Sequence, residues 1–297
     1  MTRRGFAAFA VAILATAIAR AELAVRDDLG VSVTLPRPAQ RIVSLAPHAT
    51  ELLFAAGAGA AVVGTGAYSD WPPEAGALPR VGDAATIDLE RVVALAPDLV
   101  VTWPYTATAQ LAQLRALGLP VFTTDPRTIR GIADDIERLA VLAGTSARAA
   151  PIVADLRERI RALGRSRAGA RVVRVFYQLG DRPMYAIGGT QLITEALKAC
   201  GGENVFGGQS LPAPLVSVEA VLAARPEAIV AGTEGAQRPA WLDAWRSWPA
   251  LPAVRAGNLF AVDANLLHRP GPRFVAGAEQ LCATLDRARA ALTSKGL

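Results

Sequence analysis

Glu90 and Glu219 are the acidic residues whose surroundings repeat. The stretch Asp88 to Val101 (DLERVVALAPDLVV) returns as Ser217 to Val230 (SVEAVLAARPEAIV), with the Glu seven residues before Pro97 or Pro226. The two Glu, like the two Pro, lie 129 positions apart. Each copy predicts a short helix with the Glu in its first turn, where the helix dipole favours a carboxylate. A proline that the helix cannot absorb ends it, and an aliphatic, β-branched strand follows. The chemistry open to this pair is ionic. Two equivalent carboxylates on two similar α/β lobes suit docking onto a two-fold symmetric partner.

A second group of residues could hold a ligand. In open α/β sheets, ligands sit beyond the carboxyl ends of the strands. Those positions carry Pro47-His48, Tyr68, Trp103-Pro104-Tyr105, Tyr185 and Leu267-His268-Arg269. A lone loop Tyr is more often a packed surface residue. Aromatics make up only 6% of the chain, so several at equivalent strand ends point to contact with a ligand. Aromatic faces beside an Arg suit a large, flat, partly apolar molecule with polar side groups. Catalysis has no positive support. The chain carries no P-loop, nucleophile elbow, HExxH or paired CxxC, and its only histidines are His48 and His268. The glycine pairs at 188–189, 201–202 and 207–208 stand outside any dinucleotide fingerprint and belong to loops.

The elements that must position these residues alternate between strand and helix. Residues 22–40 contain Asp27-Asp28-Leu29-Gly30 between short alternating runs, a hairpin signal. Arg41 to Leu45 predicts a buried strand ended by Ala46-Pro47, with a helix from Thr50-Glu51 to Ala56 closed by Gly57. Further strands are expected from Val62 and at Leu99–Thr102 and Val121–Thr123, with a helix over Thr108–Leu117. From Ile129 to Leu163 apolar residues recur at helical spacing, and Gly144-Thr145 marks a break with a fresh N-cap. The part from Ser146 onward predicts one long helix joining two lobes. After it come the strand Arg171–Tyr177, the helix Gln191–Ala199, the second copy of the repeat, the strand Leu259–Val262 and a terminal helix. Trp241, Trp245 and Trp248, spaced i, i+4 and i+7, predict one packed helical face. The pattern implies α/β architecture with parallel sheets covered by helices.

At 297 residues, 52% hydrophobic, the chain has material for two cores. Part of that bias lies at the N-terminus. Arg3 and Arg4 precede an apolar run from Phe6 to Ile18, and Ala19-Arg20-Ala21 fits a small-x-small cleavage site. Residues 1–21 are therefore expected to be a secretory signal cut before Glu22, by the general or the twin-arginine route. Its loss removes three arginines and no acid, so the net charge falls from +5 to +2. No basic stripe remains of the kind nucleic-acid binding requires. The early region lacks the Cys of a lipid anchor, which leaves free solution in a periplasm. Cys200 and Cys282, both placed in predicted helices, are the only cysteines. In an exported chain two cysteines most often pair, whereas a metal site would need further ligands nearby. Closing a loop of 82 residues would contribute roughly 4 kcal/mol in the chain-entropy model.

The strings RIVSLAPHATELLFAAG, YSDWPP, DLERVVALAPDLVVTW, ACGGENVF and PGPRFVAGAEQLC, in this order, resemble the metal-chelate substrate-binding proteins of ABC importers. This group binds cobalamin, haem and ferric siderophores. The resemblance covers nearly all of the chain after residue 21 and lies nearest the cobalamin binders. It implies two Rossmann-like α/β lobes, residues 22–145 and 169–297, joined by a single rigid helix over 146–168. It also implies capture of cobalamin or a related corrinoid in the periplasm by a monomer that uses no cofactor. A permease dimer with its own ATPase would receive the ligand. In this group Glu90 and Glu219 match glutamates that pair with arginines of the two permease subunits, and Cys200–Cys282 matches a disulfide. Tyr68 and Trp103 match aromatics that flank the corrinoid, Arg269 a cleft arginine, and Tyr185 an aromatic region. The chain departs from the pattern at Ala84 and Ala213, where the group places a cleft Trp, and at Asn265, where it places an Asp. Tyr105 and His268 have no counterpart.

Haem or a ferric siderophore is the alternative ligand within the same group, and Tyr105, His48 and His268 are the candidate axial ligands for haem. From other classes, an exported hydrolase is disfavoured by the lack of a nucleophile motif, and an interaction module by the transporter-style repeat. The rigid connecting helix implies small lobe movements rather than a wide hinge closure.

Overall fold

The structure is a computed structural model that describes residues 22–297 except 84, 166 and 168. The expected signal segment, residues 1–21, and Ala84 lie outside the described residues.

Two four-stranded parallel sheets form the framework. The first contains β3 (Ile42–Ser44), β4 (Val62–Thr65), β5 (Leu99–Thr102) and β6 (Val121–Thr123), after an antiparallel hairpin of β1 (Leu23–Arg26) and β2 (Ser32–Leu35). The second contains β7 (Val173–Gln178), β8 (Gly202–Asn204), β9 (Ala228–Thr233) and β10 (Leu259–Asp263). The spatial orders are β4-β3-β5-β6 and β10-β9-β7-β8. Numbered within each sheet, both read 2-1-3-4, one simply listed from the other edge. The chain thus winds two α/β lobes with one topology. All four residues of β5 are buried, as a parallel strand covered on both faces must be.

The repeated segments occupy equivalent places. In the first, helix α2 (Leu89–Ala94) starts at Asp88, whose carboxylate accepts from the Arg91 N–H, and β5 follows. α2 comes after α1 (Pro47–Ala55) and before α3 (Thr108–Ala116), α4 (Ile129–Ala143), α5 (Ser146–Arg165) and α6 (Leu192–Ala199). In the second copy α7 (Val218–Ala224) is capped by the Ser217 hydroxyl and leads to β9. Ala96 and Arg225, again 129 positions apart, both take left-handed backbone angles, with φ 44° and 46°. Each directly precedes the proline, which disfavours the right-handed helical region for its neighbour. The repeat therefore extends to a shared strained helix end that sequence pattern alone does not reveal.

α5 follows α4 in the chain and leads into β7. It carries Pro151 internally, and two neighbouring arginines fasten it to helices on either side. Arg157 pairs with Asp134 and Glu137 on α4, at 2.8 and 2.7 Å. Arg159 makes a two-point pair with Glu279 of the terminal helix Phe274–Ser294, at 2.8 and 2.9 Å. Cys200 and Cys282 are bonded, with Cα atoms 4.7 Å apart, which ties the end of α6 to that same helix.

Three local expectations are corrected. α1 begins at Pro47, not at Thr50, because a proline in the first helical turn needs no N–H partner and is already set at a helical φ. Cys200 is the C-cap of α6 rather than a residue within it. The three tryptophans do not share one helical face, since a short helix, Ala240–Asp243, breaks into a 3-10 turn over Ala244–Ser247. Trp245 is buried and donates from Nε1 to Gln178 Oε1 at 2.8 Å. Trp241 and Trp248 are half-buried against the same core, and all three rings line one cavity of about 340 Å³.

The hairpin is clipped to the end of β6 by carboxylates. Asp27 accepts from the Thr123 N–H at 3.2 Å, and Asp28 accepts from the Asp125 N–H at 2.5 Å. Arg138 on α4 joins Asp28 to Asp135, and Thr124 Oγ1 donates to Asp135 at 2.6 Å. Burial, then the Asp28 charge, hold the fully buried Asp135 carboxyl well above the usual range. The native state then binds a proton that the unfolded chain releases above about pH 3.9, so this group's contribution to stability falls as pH rises. Urea unfolding midpoints between pH 5 and pH 9 should decline along that limb. Asp135→Asn should flatten the slope; an unchanged slope in the variant would assign the effect to another group.

Candidate functional site

With a 2-1-3-4 order, the crevice of each sheet lies between the neighbouring strands 1 and 3, whose onward connections leave in opposite directions, outside the carboxyl ends. Those ends are β3 and β5 in one lobe and β7 and β9 in the other. Two adjoining depressions form there, of about 500 and 490 Å³. His48, Trp103 and His268 line both, so these three rings form the wall between them. The larger depression adds Tyr105, Asp125–Arg127, Gln191, Ala213 and Phe274. The smaller adds Leu45, Tyr68, Asp83 and Arg269. Both depressions draw residues from both lobes, so the site is the cleft between them.

Trp103 and Tyr105 stand on the tight turn that follows β5. The turn is held by the Thr106 N–H to the Trp103 carbonyl at 3.1 Å and by the Thr102–Thr106 hydroxyl pair at 2.7 Å. Their rings meet edge-on with centroids 4.9 Å apart. His48, in the first turn of α1, tilts against Trp103 at 5.3 Å. Tyr68 is 77% exposed and sits at φ 62°, an outlier for a bulky residue. Arg80 holds its loop in place by donating to the Gly66 and Ser69 carbonyls at 3.1 and 2.9 Å. Thr50 adds a hydroxyl bond to Ser69 at 3.1 Å. Strain of this kind gathers where a side chain must be presented rather than packed.

On the facing lobe, His268 Nε2 lies 3.0 Å from the buried Tyr177 hydroxyl. A Cβ at Gly232 would come within 2.4 Å of that ring nitrogen and 2.7 Å of the hydroxyl, so only glycine leaves room for the pair. Burial lowers the His268 pKa and raises that of Tyr177, so both stay neutral near pH 7. His48 is 3% exposed, and burial pushes its imidazole down to about 4.

Charged contacts bridge the lobes beside the cleft. Arg273, one residue before the terminal helix, meets the buried Glu51 of α1 in two points, at 3.0 and 2.6 Å. Its guanidinium also lies 4.8 Å from the Trp71 ring centroid. Arg269 is 3.7 Å from Glu51 and 2.5 Å from Asp70, and its hydrogen bond depresses the Asp70 pKa.

The structure gathers Tyr68, Trp103, Tyr105 and Arg269 around the cleft and adds His48 and His268. It does not bring Tyr185 or Asn265 to either depression. Tyr185 bridges to Leu215 on the lobe surface and is 38% exposed. Asn265 is half-buried and gives its N–H to the Asp263 carboxylate at 2.9 Å. Ala213 lines the larger depression where the resembled group has a ring. Glu90 and Glu219 are exposed in the first turns of α2 and α7. The Glu51–Arg273 pair was not anticipated. Its partners are 222 positions apart, and nothing local marks a charge for burial.

The chain matches the model of a periplasmic binding protein family over residues 42–266. It is 37% identical over 256 residues to the vitamin B12-binding protein of Vibrio cholerae, across 86% of this chain and 92% of that one. The crystal structure of the periplasmic vitamin B12 binding protein BtuF of Vibrio cholerae superposes with TM-score 0.77 and 36% identity. That match covers 84% of this chain and 98% of the other. The periplasmic heme-binding protein RhuT from Roseiflexus sp. RS-1 superposes with TM-score 0.72 and 27% identity, over 84% and 99%.

The cross-lobe pairs differ in burial, and that sets an expected outcome. Glu51 is 1% exposed and Asp70 is 64% exposed. Arg273→Ala strands a buried carboxylate and should cost about 3 kcal/mol. Asp70→Asn breaks only an exposed pair and should cost about 0–1 kcal/mol. Equilibrium urea denaturation checks the ranking; equal losses would show that the Glu51 contact is not a structural pin.

Proposed function

The chain belongs to the periplasmic binding protein family, and from that premise we propose that it captures cobalamin or a related corrinoid and delivers it to an ABC importer. The observation that carries this reading is the cleft between the lobes, walled by Trp103, Tyr105 and Tyr68 on one side and by His268, Pro270 and Phe274 on the other. Such a surface buries the faces of a broad macrocycle without covalent chemistry, and a few polar groups fix its orientation. The relatives named for vitamin B12 binding support the choice of macrocycle. Residues 22–145 and 169–297 act as the lobes, with 146–168 as the brace. The signal at 1–21 directs the chain to the periplasm.

Haem is the second reading, and Tyr105 favours it: the residue lines the larger depression and is 57% exposed, so its phenol is a candidate ligand for an incoming iron. Titration of the purified protein with cyanocobalamin and, separately, with haemin distinguishes the two. Corrinoid binding should appear by calorimetry and weaken at least about tenfold in Trp103→Ala, the cost of losing a stacked aromatic. A haem Soret shift that Tyr105→Phe abolishes, without corrinoid binding, would replace the corrinoid reading.

Glu90 and Glu219 serve as the docking contacts to a permease dimer. Both stand exposed, in the first turns of equivalent capped helices. The Glu219 carboxyl is held below the usual range by its own backbone N–H and by the Ser217 hydroxyl, so it is anionic at neutral pH. Exposed ion pairs contribute little affinity and act on encounter rate and register. In cells, the double variant Glu90→Ala with Glu219→Ala should lose corrinoid uptake while the purified protein keeps its ligand affinity. Uptake that survives the double change would remove the docking assignment.

A further inference from the structure

Among the described residues, two side-chain nitrogens on the shared wall of the cleft are buried without a hydrogen-bond partner: His48 Nε2 and Trp103 Nε1. Buried polar groups are nearly always paired, and leaving one unpaired is costly. Here two occur on touching rings, 5.3 Å apart, lining both depressions. Their hydrogen-bonding characters are opposite. Trp103 Nε1 carries a hydrogen and can only donate. The Thr124 backbone raises the His48 pKa, as a carbonyl facing the imidazole does, and with Nε2 unpartnered the nitrogen that faces it is Nδ1. The Thr124 N–H is already committed to the Thr102 carbonyl, so the imidazole is the donor there, from Nδ1–H. That fixes the tautomer with the lone pair on Nε2. Burial keeps the ring neutral at pH 7, so Nε2 accepts and does not donate.

We propose that His48 Nε2 and Trp103 Nε1 form a subsite for a primary carboxamide, whose N–H bonds to the imidazole and whose carbonyl accepts from the indole. The inference rests on the corrinoid reading and deepens it. A corrin ring carries several primary amides on its rim, whereas haem carries propionic acids. A carboxylate could accept from Trp103, but its second oxygen would face the His48 lone pair with no hydrogen between them. The pair thus admits an amide and resists an acid, and a site that matches a polar group rejects the analogue that cannot complete its bonds. Both nitrogens are closed from solvent in the ligand-free cleft. The amide enters as Trp103 tilts away from His48, a side-chain adjustment common on binding.

The test compares ligands as well as variants. Calorimetry at pH 7 is run with cyanocobalamin and with each isolated monocarboxylic acid made by hydrolysing one of its propionamides. The wild-type protein should bind the intact amide at least about tenfold more tightly than one of the acids. His48→Leu should weaken cyanocobalamin binding and bring the preference over that acid below about threefold. Trp103→Phe, which keeps a ring but loses the donor, should weaken the amide and that acid alike. Equal wild-type affinity for the amide and every acid overturns the subsite, as does a preference that survives in His48→Leu. The wild-type comparison stands even if a variant fails to fold. Binding of haemin with no binding of cyanocobalamin removes the corrinoid reading itself and the subsite with it, whereas corrinoid binding without amide preference removes the subsite alone.

Discussion

The buried two-point pair between Glu51 and Arg273 is the contact on which the cleft depends. Helix α1 brings the carboxylate from one lobe, and the residue before the terminal helix brings the guanidinium from the other. Removing a carboxylate from water costs several kcal/mol, which only good geometry and further contacts offset. Both are present. The pair is bidentate, the form that fixes orientation as well as distance, and the far face of the guanidinium lies over Trp71. The backbone closes in around it: a Cβ at Gly271 would stand 3.1 Å from Glu51 Oε2. A contact this directional does little for net stability compared with an apolar pair of the same volume, but it allows one relative placement of the lobes. Arg269 and Asp70 extend it to the rim of the smaller depression, and α5, anchored to α4 and to the terminal helix, braces the back.

Much of this architecture was legible because it depends on local patterns. Alternating strands and helices required parallel sheets, and the hairpin turn at Asp27–Gly30, the strand Val121–Thr123 and the break at Gly144 all fell where turn residues and periodicity put them. The repeat led to two lobes of one topology. The helix start at Pro47 was misplaced because a proline closes one element and opens the next with equal ease, and only the packing of His48 and Thr50 shows which. The tryptophan triplet was legible as a packed group but not as to the backbone that carries it. Its spacing is helical, but the backbone tightens to a 3-10 turn after Asp243, so the three rings pack in one cluster without standing on one regular helix.

The cleft was legible only in part. Aromatics after β4 and β5 follow from the rule that parallel strands present ligands at their carboxyl ends, and Tyr68, Trp103 and Tyr105 obey it. Tyr185 does not, because its segment runs antiparallel to residues 212–216 along the lobe surface and brings Pro212 and Ala213, rather than Tyr185, to the cleft. Strand-end reasoning presumes a loop that leaves the sheet directly, and this one folds back first. Glu51 escaped notice because its partner is remote in sequence. His48 was visible as a residue but not as an unpaired nitrogen, since pairing is a property of the fold.

The economy of polar groups in the cleft limits how any ligand can be held. Arg269 is engaged by Asp70, Arg127 by Asp125, and His268 by Tyr177. Each already has a partner, so recruiting the same atoms for a ligand first breaks a bond that must then be replaced. Exchange of this kind yields orientation more than affinity. The affinity must come from ring faces and aliphatic walls, and here the two lobes differ. One contributes Trp103, Tyr105 and Tyr68, while the other contributes Ala213, Pro270 and Phe274 with the His268 ring. An asymmetric cleft of this kind holds a flat molecule against its aromatic side, and the unpaired groups that can choose its orientation stand on that same side.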